Sequence, residues 1–223
     1  MERRAFSTLA PKVNTSLPGC PYPLVIQYIR DAAIRVCERT LAWRYEQPSF
    51  LLTPGQAEYP FPTPNDTDVQ AVLAATLNDE SLRVAPLEVA FEQYPQWPVL
   101  TTDPDEITEY GSQPRMLTQI DLRSFLVLPM PDAERDYNLR FIYALKPARH
   151  ALDMARNILD EHEDAVVHGA LQQLLVMPGV QWADRELASY HAKQFLLAVT
   201  TARAQANLNT FRGTLYARAP RFA

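Results

Sequence analysis

The segment Glu161-His162-Glu163-Asp164-Ala165-Val166-Val167-His168 is the densest candidate for chemistry, two histidines set among three acids. Histidine with carboxylate can hold a divalent metal and activate a water. A zincin helix presents its two histidines at i, i+4, on one face. Here the spacing is i, i+6, a rotation of about 600°, which sends His162 and His168 to different faces. The acids also suit another task, because Asp and Glu in a first turn complement the helix dipole. A metal-dependent hydrolase using His162, His168 and their acidic neighbours is kept as an alternative. His191, beside Tyr190, reads as a core or interface ring. No nucleophile elbow is present: Gly111-Ser112 lacks the second glycine and reads as a turn. Cys37 reads as a small buried apolar residue, and Cys20 sits in a Pro-Gly-Cys-Pro turn. The six glycines form neither G-x-G-x-x-G nor G-x-x-x-x-G-K, so no phosphate cradle is visible. The sequence is therefore read as non-enzymatic, with no catalytic, metal-binding or cofactor-binding residue assigned.

The chain around these residues has 223 positions, 47% of them hydrophobic and 21% charged, enough for a core without disulfides or metals. Two cysteines are too few for a disulfide scaffold. The opening MERRAFSTLAPK has no apolar h-region, so no secretory signal is expected. The longest uncharged stretch, 165–183, contains His168, Gln172, Gln173, Pro178 and Gly179, which argues against a membrane span. The composition predicts a soluble, intracellular, globular protein. Its net charge of −5 is uneven: residues 1–20 carry +2 and residues 203–223 carry +4, leaving −11 between them. An acidic body repels a phosphate backbone and argues against sequence-specific DNA binding. Basic ends suit an acidic partner or a phosphate, or are solvated tails. Eighteen of the 21 basic residues are Arg, the cation favoured in interfaces.

Proline divides the elements that must position these groups. Thirteen of 19 prolines lie between Pro48 and Pro147, which predicts a loop-punctuated β middle with helical flanks. Residues 1–21 read as an irregular arm. From Leu24 to about Tyr45, Val25, Ile29, Ala32, Val36 and Trp43 form one helical stripe. Thr53-Pro54-Gly55-Gln56 has type II turn chemistry and predicts a hairpin across 49–61. Asn78-Asp79-Glu80-Ser81 predicts a second, between 69–77 and 82–87. Residues 87–95 read as one or two helical turns. Strands are expected at 115–121, 125–130 and 138–145. Asp160 and Glu163 fit a capping box opening a helix that runs to Met177. Asp184 is an N-cap for a longer helix to about Asn207. That helix carries a mostly small stripe, His191, Phe195, Ala198, Ala202 and Ala206, suited to close packing within a bundle or between subunits. The stretch after it alternates aromatic residues and arginine without an apolar face, and reads as an extended tail.

The fold predicted from this order is α+β. A helical bundle is formed by N- and C-terminal helices, with an inserted antiparallel β-sheet or sandwich domain and an extended C-terminal tail. The expected division is 1–47 (arm and first helix), 48–148 (β-rich insertion), 149–207 (C-terminal helical hairpin) and 208–223 (basic-aromatic tail).

Three segments resemble phage head-to-tail adaptor proteins. In 18–44 the pattern is carried by Asp31, Ala32, Ala33, Ile34, Cys37, Thr40 and Trp43. In 52–62 it is carried by Gly55, Gln56, Tyr59 and Phe61. In 168–195 it is carried by His168, Gly169, Ala170, Leu171, Met177, Pro178, Gly179, Trp182, Tyr190 and Phe195. The strand at 137–147 sits where that family enters its C-terminal helices. The likeness spans about residues 17–207 and is to the adaptors of short-tailed phages, similar to tail tubular protein A.

The resemblance implies a virion structural protein at the head–tail junction, made in the host cytoplasm. It implies a ring of about twelve copies under the portal, docking a tail nozzle or tail tube protein and extending the DNA channel. DNA would pass without specific binding, no cofactor would be needed, and no membrane would be involved. On that reading Phe211, Arg212, Tyr216, Arg218, Arg221 and Phe222 contact the portal, folding on binding. His191, Phe195, Ala198 and Ala202 would pack helix against helix between subunits. Competing readings are an adaptor or completion protein of a long-tailed phage, a virion-associated metal-dependent hydrolase, and a host small-molecule carrier with a β-sandwich pocket.

Overall fold

Strand pairing organises the molecule. The computed structural model describes residues 2–95 and 113–210. Seven strands form one curled, half-barrel sheet: β2 (Arg44–Leu51), β3 (Glu58–Pro60), β4 (Thr67–Leu77), β5 (Glu80–Val84), β6 (Met116–Gln119), β7 (Ser124–Leu128) and β8 (Asn138–Pro147). Their spatial order is β2-β8-β4-β5-β6-β7-β3. Every pair is antiparallel except β5–β6, which sets Arg83 beside Met116 and Val84 beside Leu117. A second sheet pairs β1 (Arg3–Ala5) with β9 (Asp153–Ala155). The helices are α1 (Ala10–Asn14), α2 (Tyr22–Thr40), α3 (Leu87–Gln93), α4 (Arg156–Glu161), α5 (Glu163–Leu174) and α6 (Arg185–Thr210).

The expected helical bundle with an inserted β domain is overturned. Helices α2, α5 and α6 do touch one another, but α2 also lies against β8, where Lys146 Nζ donates to Glu38 Oε1 at 2.8 Å. One continuous apolar core runs from Phe6 through Trp43, Phe125 and Phe141 to Val199. The helices are a layer on a dominant sheet. An apolar stripe at helical spacing shows that a face is buried, but not what buries it. Val25, Ile29, Ala32 and Val36 are all buried, and sheet and helices share the task.

Two local expectations also fail. Residues 1–21 are not an irregular arm: Phe6, Leu9, Ala10, Val13 and Leu17 are all buried in the core. The hairpin across 49–61 does not form. Its turn exists, with Gln56 N–H donating to Thr53 O at 3.2 Å and Gly55 at φ 73°. Yet β2 and β3 lie at opposite ends of the sheet, joined across the curl by side chains. Phe50 meets Tyr59 edge-on at 5.6 Å between ring centroids. The Tyr59 hydroxyl lies 2.8 Å from Thr53 O and accepts from Thr53 N–H at 3.1 Å, pinning the turn. Tyr45, Phe50, Tyr59, Phe61, Phe125, Phe141 and Tyr143 pack ring on ring inside the curl. Aromatic pairs of this kind add about 0.5–1.5 kcal/mol each beyond area burial.

The second hairpin follows its signal, and the first long helix does so in part. Asn78 and Asp79, at φ 49° and 67°, form the left-handed turn joining β4 to β5. Helix α2 stops at Leu41, at φ 52°, short of the predicted Tyr45, because residues from Arg44 onward are drawn into pairing with β8.

Candidate assembly surfaces and the helical layer

Helix α6 begins where the sequence indicates. Asp184 Oδ1 accepts from the N–H groups of Glu186 and Leu187, at 3.0 and 2.9 Å. The stripe expected between subunits is placed inside this one: His191, Phe195 and Ala202 are buried and Ala198 is half-buried. Phe195 packs over Gly169, where an added Cβ would lie 2.9 Å from two ring carbons and 3.0 Å from Ala32 Cβ. Arg35 and Arg39 of α2 lie over the same ring, at 5.2 and 5.6 Å. The outward face of α6 instead presents Tyr190, Leu196 and Leu197, between half and two-thirds exposed. Between Glu186 and Thr210 the helix has no acid. A groove beside this face is lined by Tyr28, Gln172, Gln173, Val176, Ala188, Ser189 and Ala192. The six tail residues Phe211, Arg212, Tyr216, Arg218, Arg221 and Phe222 lie outside the described residues.

The two histidines of the 161–168 segment do not converge. His162 sits at the junction of α4 and α5; burial lowers its proton affinity, and its Nε2 has no hydrogen-bond partner among the described residues. His168 meets His191 instead, with the two Nδ1 atoms 2.7 Å apart. Burial depresses the proton affinity of both rings, opposed at His168 by Asp164 and reinforced at His191 by His168. Tyr190 stands edge-on to each ring, at 6.3 and 5.2 Å. Among the described residues no group of three or more His, Cys, Asp or Glu is arranged to hold a metal. The sequence did not reveal the His168–His191 pair, because the partners are 23 residues apart on different helices.

The predicted capping box does not form, since no side chain caps α5. Asp160 and Glu163 are claimed by the N-terminal segment. Arg4 Nη1 donates to both, at 2.6 and 2.7 Å, and Lys12 also pairs with Glu163. Hydrogen bonding to Lys12 and then Arg4 holds the Glu163 carboxyl below the usual range. Arg3 donates to Asp153 across the β1–β9 pair. The basic N-terminus is thus spent inside the subunit. Its arginines look like a free basic arm only while their acidic partners, some 150 residues away, are unplaced.

Cys20 and Cys37 are both free thiols, and burial pushes the Cys37 thiol up to about 12, which keeps it un-ionised. No described helix is long and apolar enough to cross a membrane.

No curated protein matches the sequence. A family model does: that of the SU10 adaptor protein matches residues 4–218, nearly the whole chain and every long element described above. The chain belongs to the SU10 adaptor protein family, and it is a phage adaptor.

Proposed function

We propose that this protein forms the adaptor ring at the head–tail junction of a short-tailed phage, as adaptors similar to tail tubular protein A do. In this reading copies assemble side by side beneath the portal, dock the tail nozzle or tube, and continue the DNA channel. The observation that carries the reading is the adaptor-family match over residues 4–218. Charge supports it, because a body of net −11 over residues 21–202 repels passing DNA. The surface assigned here to a neighbouring copy is the outward face of α6, where Tyr190, Leu196 and Leu197 are exposed. The strand-rich middle, 48–148, faces the nozzle, and the tail 208–223 reaches the portal through Phe211, Arg212, Tyr216, Arg218, Arg221 and Phe222. Removing residues 208–223 tests this assignment by pull-down on portal rings. The shortened chain should stay folded and no longer join the rings, whereas full retention of binding would remove the tail from the contact.

A further inference from the structure

We propose that His168 and His191 form a proton-operated clasp between α5 and α6, closed at neutral pH and opened by acidification, so that α6 loosens from the subunit. The two Nδ1 atoms lie 2.7 Å apart, so one must carry a hydrogen and the other must be bare. A neutral pair meets this condition with opposite tautomers. A singly protonated pair also meets it, the imidazolium donating to its neighbour. A doubly protonated pair cannot, because both Nδ1 atoms then carry hydrogens and two cations abut in a half-buried space.

The surrounding charges decide how hard the second proton is to place. On α5, Asp164 stands one turn before His168 and favours its protonation. On α6, Lys193 follows two residues after His191. On α2, Arg35 donates to Gly169 O at 2.7 Å and Arg39 lies over Phe195, with Asp31 and Glu38 acting on Arg35. On α1, Lys12 is paired with Glu163, and on α4, Asp160 is paired with Arg4. Of these charges Asp164 acts on His168, and the charge acting on His191 is that of His168 itself. Among the described residues no carboxylate makes a hydrogen bond to either ring that would hold a doubly charged pair together.

Opening the clasp acts on α6 in particular. The buried face of that helix is Ala188, His191, Phe195, Val199 and Ala202, so few large side chains secure it. His191 supplies its one side-chain hydrogen bond to α5 among the described residues.

The test is amide hydrogen exchange on the full chain, corrected for intrinsic rates, at about pH 7.5 and about pH 5.5. Protection across 185–206 should fall at least about tenfold relative to β4 and β8. In H168Q/H191Q, where two amides replace the rings, that response should shrink below about twofold, while H162Q should keep it. Imidazole nitrogen resonances of the wild-type chain give a reading that needs no variant. They should show one Nδ1-bound proton in the pair at neutral pH, and a second protonation well below the ordinary value of about 6.5. Equal response of α6 and the sheet, retention of the full response in H168Q/H191Q, or independent titration of both rings near 6.5 would each overturn the clasp.

Discussion

Gly169 shows how much a single hydrogen can matter. Alanine favours a helix over glycine by about 1 kcal/mol. Here a Cβ would press on the buried Phe195 ring and on Ala32, each within 3.0 Å. Overpacking costs about 1–3 kcal/mol, so Gly169→Ala should destabilise the fold on balance, and a lower urea midpoint would show it. A raised midpoint would mean that Phe195 moves aside freely. The histidines act in the same layer. Burial lowers the proton affinity of His162, His168 and His191. The unfolded chain therefore takes up protons first as the medium acidifies. Their contribution to stability is complete above about pH 6.5 and is lost as pH falls below it toward the depressed folded values. Urea midpoints should decline from about pH 7 to about pH 5, and H162Q should flatten part of that slope. A midpoint that does not move over this range would contradict the burial of all three rings.

At the scale of elements, aromatic side chains inside the curl join strands from both ends of the sheet. Phe125 touches Phe50, Tyr59, Phe61 and Phe141, and it is fully buried. Phe125→Ala should cost about 3–5 kcal/mol by equilibrium unfolding, and a loss below about 1 kcal/mol would mean the curl collapses to fill the gap. The elements themselves were largely legible. Asn78-Asp79 announced the β4–β5 hairpin, Asp184 announced α6, and the stripe from Val25 to Val36 announced α2. Their partners were not. Thr53-Pro54-Gly55-Gln56 reads as a hairpin turn, and a turn does form, yet β2 pairs with β8 and β3 with β7. Turn chemistry is local, whereas pairing is set by which strand gives Phe50 and Tyr59 a shared interior. Asp160 and Glu163 likewise read as a cap until Arg4 and Lys12 arrive from the other end of the chain.

The whole molecule is a sheet-dominated phage adaptor with exposed apolar residues on several elements, Tyr190, Leu196 and Leu197 among them on α6. Leu196 and Leu197 are 54% and 63% exposed, so replacing both with Ser should change stability by no more than about 1 kcal/mol. If a neighbouring copy covers that face, the same double variant should fail to close rings on a portal. Rings that form normally would move the contact elsewhere. That the chain is a phage adaptor was legible from spaced residues such as Asp31, Cys37, Trp43, Gly55, Tyr59 and Pro178, because their order survives without knowledge of what they touch, whereas the likeness to tail tubular protein A is not part of what the family match shows. The surfaces were not, because the stripe His191, Phe195, Ala198 and Ala202 looks the same whether it packs inside a subunit or between two. Ring formation on the portal is read by mass photometry of the purified chain, alone and with the candidate portal ring. An adaptor that assembles on its template should be a monomer alone and a single heavier species with portal, its added mass a whole ring of copies. A monomer that leaves the portal mass unchanged would contradict it.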